Sequence, residues 1–363
     1  MEKELLGSLL HLESPFEIQK VEQVQSHKEP KTEEILVIHI GLGAGWQAPS
    51  GWRVNGYQRR RWRHLNLFEY ACYLEFNLPI LRHIEGGQTR NLEISWSRPY
   101  SRFTLKLEEH IVELVRLCHC IQTVAHLLGE NRQRIQQVYD HYTLPAYEKQ
   151  CQQAIAPFRT LGLDETSSKK GHDYITLFVD MDQGRIVDIQ PGKDGSAVKR
   201  FVERCSQAQA IEQVSMDMSP AFVSAVEQYL PQAAITFDKF HIVRHIHKAL
   251  EELRPYDAEM VGWCRDALQP LYTFENKTEM SAFLQFWTDY VKELLGAKKL
   301  AKSLTRHFDG IVQYACSVIN NGLLEGINSK IQYLKRIARG YRYQANFMRM
   351  ILFVFGSLQV VSS

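Results

Sequence analysis

The chain has 363 residues, 45% hydrophobic and 23% charged, proportions ordinary for a globular protein with one large core or two smaller ones. Its formal net charge of +2 excludes a strongly one-signed protein, and seven cysteines at irregular spacing, with no Cys-x-x-Cys pair, exclude a disulfide framework and a simple zinc motif. The start Met1-Glu2-Lys3-Glu4 is not that of a secretory signal, and the longest apolar stretch, Met350 to Val361, falls short of the roughly 20 residues that cross a bilayer. A reducing cytoplasm without membrane contact is the expectation.

Residues 1 to 50 are polar, then turn-rich around Gly41 to Gly56, and carry no usable periodicity, so a small irregular β region is expected over 1–100. Within it, Arg53, Arg59, Arg60, Arg61 and Arg63 fall in eleven residues without an acid. Such a cluster suits a polyanion or a solvated face. Strand-like runs, Tyr70 to Phe76 and Leu92 to Trp96, flank the turn signal Glu85-Gly86-Gly87.

From Thr104 the spacing turns helical. Leu105, Leu107, Ile111, Leu114 and Val115 fit one helix, Ile121 to Leu128 a second, and Ile135, Val138 and Tyr139 a third, with Gly129-Glu130-Asn131 between the last two. This spacing over 101–150 is that of a helix-turn-helix or a plain helical hairpin. In the first case Arg132, Gln133 and Arg134 are of types that read bases or grip phosphates.

After Pro157 strands and helices alternate. The predicted elements are strands Thr160 to Asp164, Tyr174 to Val179 and Arg185 to Gln190, the last two joined by Asp182-Gln183-Gly184, and a helix Ser196 to Cys205. A strand Ile211 to Met216, a helix Pro220 to Tyr229 and a strand Ala234 to Phe237 follow. Three hairpin strands followed by two βα units are the order of a ribonuclease H-like mixed α/β sheet, here over 155–248. Residues 249–310 read as a helical insertion, and 311–363 as the rest of the core.

Three acids stand where metal-dependent phosphodiester chemistry needs them: Asp164 at a strand end, Asp217 after the fourth strand, and Glu325 in Asn-Asn-Gly-Leu-Leu-Glu-Gly-Ile-Asn. Two Mg²⁺ or Mn²⁺ ions about 3.5 to 4 Å apart activate a water and neutralise the transition state, and such hard ions select carboxylates. Asp164 is expected to bridge both ions, with Asp217 and Glu325 completing one sphere each. Asp238 and His241, in Asp238-x-x-His241-x-x-x-His245, are candidates for an accessory acid and its neighbour, or less simply for a zinc site. Asn328 stands near Glu325 as an amide suited to a substrate backbone, and Lys335, Arg336, Arg339 and Arg342 follow in a second acid-free basic stretch suited to DNA.

The segments Leu-Gly-Leu-Asp-Glu, Val-Ser-Met-Asp-Met-Ser-Pro-Ala-Phe and Phe-Asp-Lys-Phe-His-Ile-Val-Arg-His, with the Glu325 motif and the landmarks Arg61-Trp62-Arg63-His64-Leu65 and Ser101-Arg102-Phe103-Thr104, resemble the ISL3 family of bacterial insertion-sequence transposases. The resemblance implies an Asp-Asp-Glu recombinase with the triad Asp164, Asp217 and Glu325. It also implies recognition of terminal inverted repeats in double-stranded DNA, hydrolytic nicking, strand transfer, and a homodimer or larger assembly at the nucleoid. Relatives often carry an N-terminal zinc ribbon, whereas Ala48-Pro49-Ser50-Gly51 and His83 stand here at its cysteine positions. No zinc is therefore expected. The alternatives are a transposase-derived DNA-binding protein without catalysis, or a nuclease or resolvase on the same fold.

Overall fold

The computed structural model describes residues 6–8, 10, 12–28, 31–169, 173–317, 322–356 and 358–360. They form two compact units, one of residues up to 115 together with 124–139, the other of residues 116–123 and 140–360.

The first unit corrects the expectation of an irregular start. It holds a five-stranded sheet of β1 (Phe16–Lys28), β2 (Lys31–Leu42), β3 (Trp52–Arg63), β4 (Ala71–His83) and β5 (Thr89–Asn91), in the order β1-β2-β4-β3 with β5 on β4. β2 and β4 are parallel; the other pairs are antiparallel. β1 hides its nature because a register shift between Ile18 and Lys20 interrupts the pairing and Gln19, Lys20, Val21, Gln23 and Gln25 face water. The readable signal was the β-branched run Ile35 to Ile40, whose Ile35, Val37, Ile38 and Ile40 are buried. Leu92 to Trp96 forms no strand. Trp96 instead plugs the sheet core against Phe16, Trp62 and Phe76 in edge-to-face contacts.

The three expected helices are α1 (Leu105–Cys118), α2 (Ile121–Leu127) and α3 (Arg132–Gln152). Gly129, at φ +62, takes the left-handed turn after α2, and the Asn131 side chain accepts from Gln133 N at 2.7 Å to start α3. Ile111, Val115, Val124, Ile135, Val138 and Tyr139 are all buried, as the helical spacing requires.

The second unit is built on a mixed sheet of β6 (Thr160–Ser167), β7 (Tyr174–Asp180), β8 (Arg185–Pro191), β9 (Gln213–Met216) and β10 (Ala234–Phe237). Its order is β10-β9-β6-β7-β8, with β7 antiparallel to both β6 and β8, and β6, β9 and β10 parallel. The β7–β8 turn closes where buried Asp180 accepts from the backbone N–H groups of Asp182 and Gln183. Helices α4 (Gly195–Arg204) and α5 (Pro220–Tyr229) make the crossovers, and Phe178 stacks on Phe201 with ring centroids 4.2 Å apart. After β10 come α6 (Lys239–Glu251), α7 (Ala258–Ala267), α8 (Lys277–Leu294), α9 (Lys298–Arg306) and α10 (Phe308–Val312), so this stretch is helical as expected. Its buried Leu284, Trp287 and Val291 continue the hydrophobic core of the sheet. The unit ends with α11 (Gly322–Ile337) and α12 (Gln344–Phe355).

Candidate active site

Strand register gathers the acids. β6 pairs β9 as far as Gly162 opposite Ser215, and Asp164 and Asp217 each stand two residues beyond that last pair. β10 pairs β9 with Phe237 opposite Met216, and Asp238 N donates to Met216 O at 2.9 Å, so Asp238 stands beside Asp217 on the other side. The three carboxylates thus lie in a row past the ends of the β9 and β10 pairings, near enough for Asp217 and Asp238 to act on the charge of Asp164. Asp164 was expected at a strand end; β6 in fact runs on to Ser167 against β7, and it is the β9 pairing that stops before Asp164.

Each carboxylate is held by local backbone. Asp164 Oδ1 accepts from Glu165 N at 2.7 Å, Asp217 Oδ1 from Ser219 N at 3.0 Å, and Asp238 Oδ1 from Phe240 N at 2.8 Å at the start of α6. Burial, with Asp217 and Asp238 nearby, raises the Asp164 carboxyl to about 7, against the opposing pull of the Glu165 N–H and His241. Glu165, next in the strand, is raised as well, by burial and then by Asp217, with Lys193 and His241 opposing. Glu165 was not singled out from the sequence; its only signal is its place directly after Asp164.

Helix α11 is fastened to β6 by side chains that climb both elements together. Asn328 Nδ2 donates to Asp164 Oδ2, Gln332 Nε2 to Thr166 Oγ1 at 2.6 Å, and Lys335 Nζ to Ser167 O and Oγ at 2.8 and 3.0 Å. At Gly162 a Cβ would come within 2.5 Å of Met181 Sδ and 2.8 Å of Leu324 Cδ2, so glycine permits this close seat of the helix. Glu325 precedes Asn328 by three residues, about 4.5 Å along the axis, and is exposed. Among the described residues no three His, Cys, Asp or Glu side chains converge tightly enough to enclose a metal ion. Asn320 and Asn321 of the Glu325 motif lie outside the described residues.

His241 lies near enough to Asp164 to act on its charge, while His245 turns away to Ser303 Oγ at 3.1 Å, so the two histidines serve different surroundings.

The basic residues divide by what they touch. Arg59 and Arg61 both bind buried Glu75, each at 2.7 Å, because β3–β4 pairing puts Arg61 opposite Glu75. Arg63 is buried; its guanidinium meets the carbonyls of His64 and Cys72 and the Asn66 side chain. It therefore holds a loop instead of offering a free charge to phosphate. Arg60 is half-buried and donates to Gln58 at 3.0 Å. Arg132, Gln133 and Arg134 are exposed at the start of α3, with Arg134 paired to Glu130 at 3.3 Å. In the C-terminal stretch Lys335 is committed to β6, whereas Arg336, Arg339 and Arg342 are not held by β6. Gly51 and His83, two of the positions at which a zinc ribbon would carry cysteine, are adjacent: a Cβ on Gly51 would lie 3.5 Å from His83 Nε2.

Known proteins are similar to this chain in sequence. A family model described as a transposase matches residues 161–261 and 263–351, more than half of the chain, and one described as the helix-turn-helix domain of transposase family ISL3 matches residues 92–143. The transposase for insertion sequence element IS1001 of Bordetella parapertussis is 25% identical over 346 residues, covering 82% of this chain and 84% of that protein. The transposase for insertion sequence element IS1557 of Mycobacterium tuberculosis is 26% identical over 204 residues, covering 56% of this chain and 45% of that protein. A helix-turn-helix joined to a mixed α/β unit with clustered acids defines a DNA-binding, nucleotidyl-transferring protein. The chain belongs to the ISL3 family of transposases. No helix among the described residues is long and apolar enough to cross a membrane.

Proposed function

We propose that this transposase binds the terminal inverted repeats of an insertion sequence, nicks the DNA there, and joins the freed 3′ ends to target DNA at an Asp-Asp-Glu site of Asp164, Asp217 and Glu325. The observation that carries this reading is the row of Asp164, Asp217 and Asp238 with the Glu325 helix fastened beside it through Asn328. The sheet order β10-β9-β6-β7-β8 supports a ribonuclease H-like reading, with a catalytic core of residues 155–248 and 311–363 interrupted by the helical insertion 249–310. Residues 1–100 and the helix-turn-helix over 101–150 would then read the repeats, the latter through Arg132, Gln133 and Arg134.

The donor set fits hard divalent cations: carboxylate oxygens in a row, plus the buried Asn328 Oδ1, which has no hydrogen-bond partner. Two bound Mg²⁺ or Mn²⁺ ions would supply Lewis-acid charge and an acidified water. Asp164, Asp217 and Glu325 would hold the ions, with Asp238 as accessory acid. The three backbone hydrogen bonds fix carboxylate orientation before substrate arrives, which lowers the cost of assembling the site. His241 sets positive charge beside Asp164 when protonated. Arg336 stands in the last turn of the Glu325 helix, Arg339 and Arg342 follow it, and all three would hold the DNA backbone. Handling two element ends together calls for a homodimer or larger assembly, acting at the bacterial nucleoid.

Protein mixed with duplexes carrying the element's own ends should nick at the end and join it to a second duplex only with Mg²⁺ or Mn²⁺. Asp164→Asn or Glu325→Gln joining strands as well as the wild type would refute the triad. Repeat binding without any cation-dependent cleavage would mark a DNA-binding derivative instead.

A further inference from the structure

Asn328 does two things with one amide. Its Nδ2 donates to Asp164 Oδ2, and its Oδ1 is carried on the same carbon as that nitrogen. That oxygen is buried and without a hydrogen-bond partner, a state that costs a carbonyl its lost hydration. The residue stands one turn after Glu325 on α11, and α11 is held to β6 by Gln332 and Lys335 independently of it. Anchoring the helix therefore does not explain why an amide, and not an apolar side chain, occupies the place. The acid that Asn328 touches, Asp164, cannot donate a hydrogen bond to Oδ1 while ionised. A cation is the partner that would satisfy Oδ1 and the carboxylates together.

We propose that Asn328 is a fourth oxygen ligand of the site, its Oδ1 coordinating a divalent cation between Asp164 and Glu325 while its Nδ2 orients Asp164. This rests on the proposed metal chemistry of Asp164. A DNA backbone contact, the role the sequence suggests for Asn328, leaves the buried oxygen unexplained.

The test is Mn²⁺ binding to the full chain without DNA, followed by the paramagnetic resonance of free Mn²⁺, on wild type, Asp164→Asn, Asn328→Ala and Asn328→Asp. The ligand reading expects Asn328→Ala to weaken binding by about tenfold or more, the range for lost groups around a metal. It expects Asn328→Asp to bind at least as tightly as wild type, since a carboxylate oxygen replaces the amide oxygen. The same Asn328→Asp chain, without metal, should melt lower than wild type, because a carboxylate then faces Asp164. This reversal excludes a purely structural role, in which the substituted carboxylate cannot donate to Asp164 and both variants lose binding alike. Asn328→Asp binding as weakly as Asn328→Ala overturns the proposal while Asp164→Asn still abolishes binding. Asp164→Asn binding Mn²⁺ like wild type overturns the metal reading itself. Near-ultraviolet circular dichroism identifies any variant that has failed to fold, and the Asn328→Asp comparison then decides.

Discussion

Replacing Asp164 by asparagine keeps the shape of the side chain and removes its charge. The Asp164 carboxyl is raised from 3.8 to about 7, chiefly by burial and then by Asp217 and Asp238, so the folded protein holds this proton more tightly than the unfolded chain does. The contribution is therefore neutral below about pH 4, becomes progressively destabilising as pH rises towards 7, and is constant above that. At about 1.4 kcal/mol per tenfold change in proton affinity the full effect is roughly 4 kcal/mol, and since Asp164 is half-buried, screening reduces it to about 2 kcal/mol. In Asp164→Asn the new Oδ1 keeps the Glu165 N–H, and Asn328 can turn its amide to offer its unpartnered oxygen to the new Nδ2. The expected result, without divalent cation, is a variant more stable than wild type by about 2 kcal/mol at pH 8 and no more stable at pH 4. Thermal or denaturant unfolding across that range measures it. Added Mg²⁺ should stabilise wild type and leave the variant unmoved, by mass action on the folded state. A variant that is less stable than wild type at pH 8 without metal, or a difference that does not change with pH, would refute the account of the site as uncompensated carboxylates.

Gly162→Val should lower stability by about 1–3 kcal/mol and depress strand joining more than DNA binding, because its side chain would collide with Met181 and Leu324 and lift α11 from β6. Arg336→Ala, Arg339→Ala and Arg342→Ala should each weaken DNA binding and reduce the dependence of log affinity on log salt by about one, read by fluorescence anisotropy at several salt concentrations. Lys335→Ala should instead cost stability with little change in salt dependence, since Nζ is held by Ser167. Glu75→Gln should lower the melting temperature and steepen the salt dependence of DNA binding, by releasing Arg59 and Arg61; an unchanged slope would show that these arginines do not face DNA.

Much of the second unit was legible because buried strands and crossover helices impose strong, opposed periodicities. Tyr174 to Val179 and Ala234 to Phe237 are apolar runs between turn signals, and they are strands within a residue of the expected bounds. Of the N-terminal sheet only the start of β4 was legible, as the run Tyr70 to Phe76; β1 shifts register, and its partner β2 shows only an apolar run without alternation. The arginine cluster illustrates the same limit from the charged side. Five arginines without a nearby acid in sequence look free, yet Glu75 reaches two of them across the β3–β4 pairing and Arg63 is buried.

The sequence by itself determined which residue types were present for the chemistry, the order of strands and helices that would carry them, and the resemblance to ISL3 transposases that the family comparisons bear out. Only the tertiary structure decided that Asp217 and Asp238 lie near Asp164, that Glu165 and His241 share their field, and that Asn328 touches Asp164. The reason is physical. Local preference depends on neighbours a few residues away, whereas these contacts join positions far apart in the chain, 164 residues in the case of Asn328 and Asp164, and only strand register and the close seat of α11 at Gly162 fix which side chains meet.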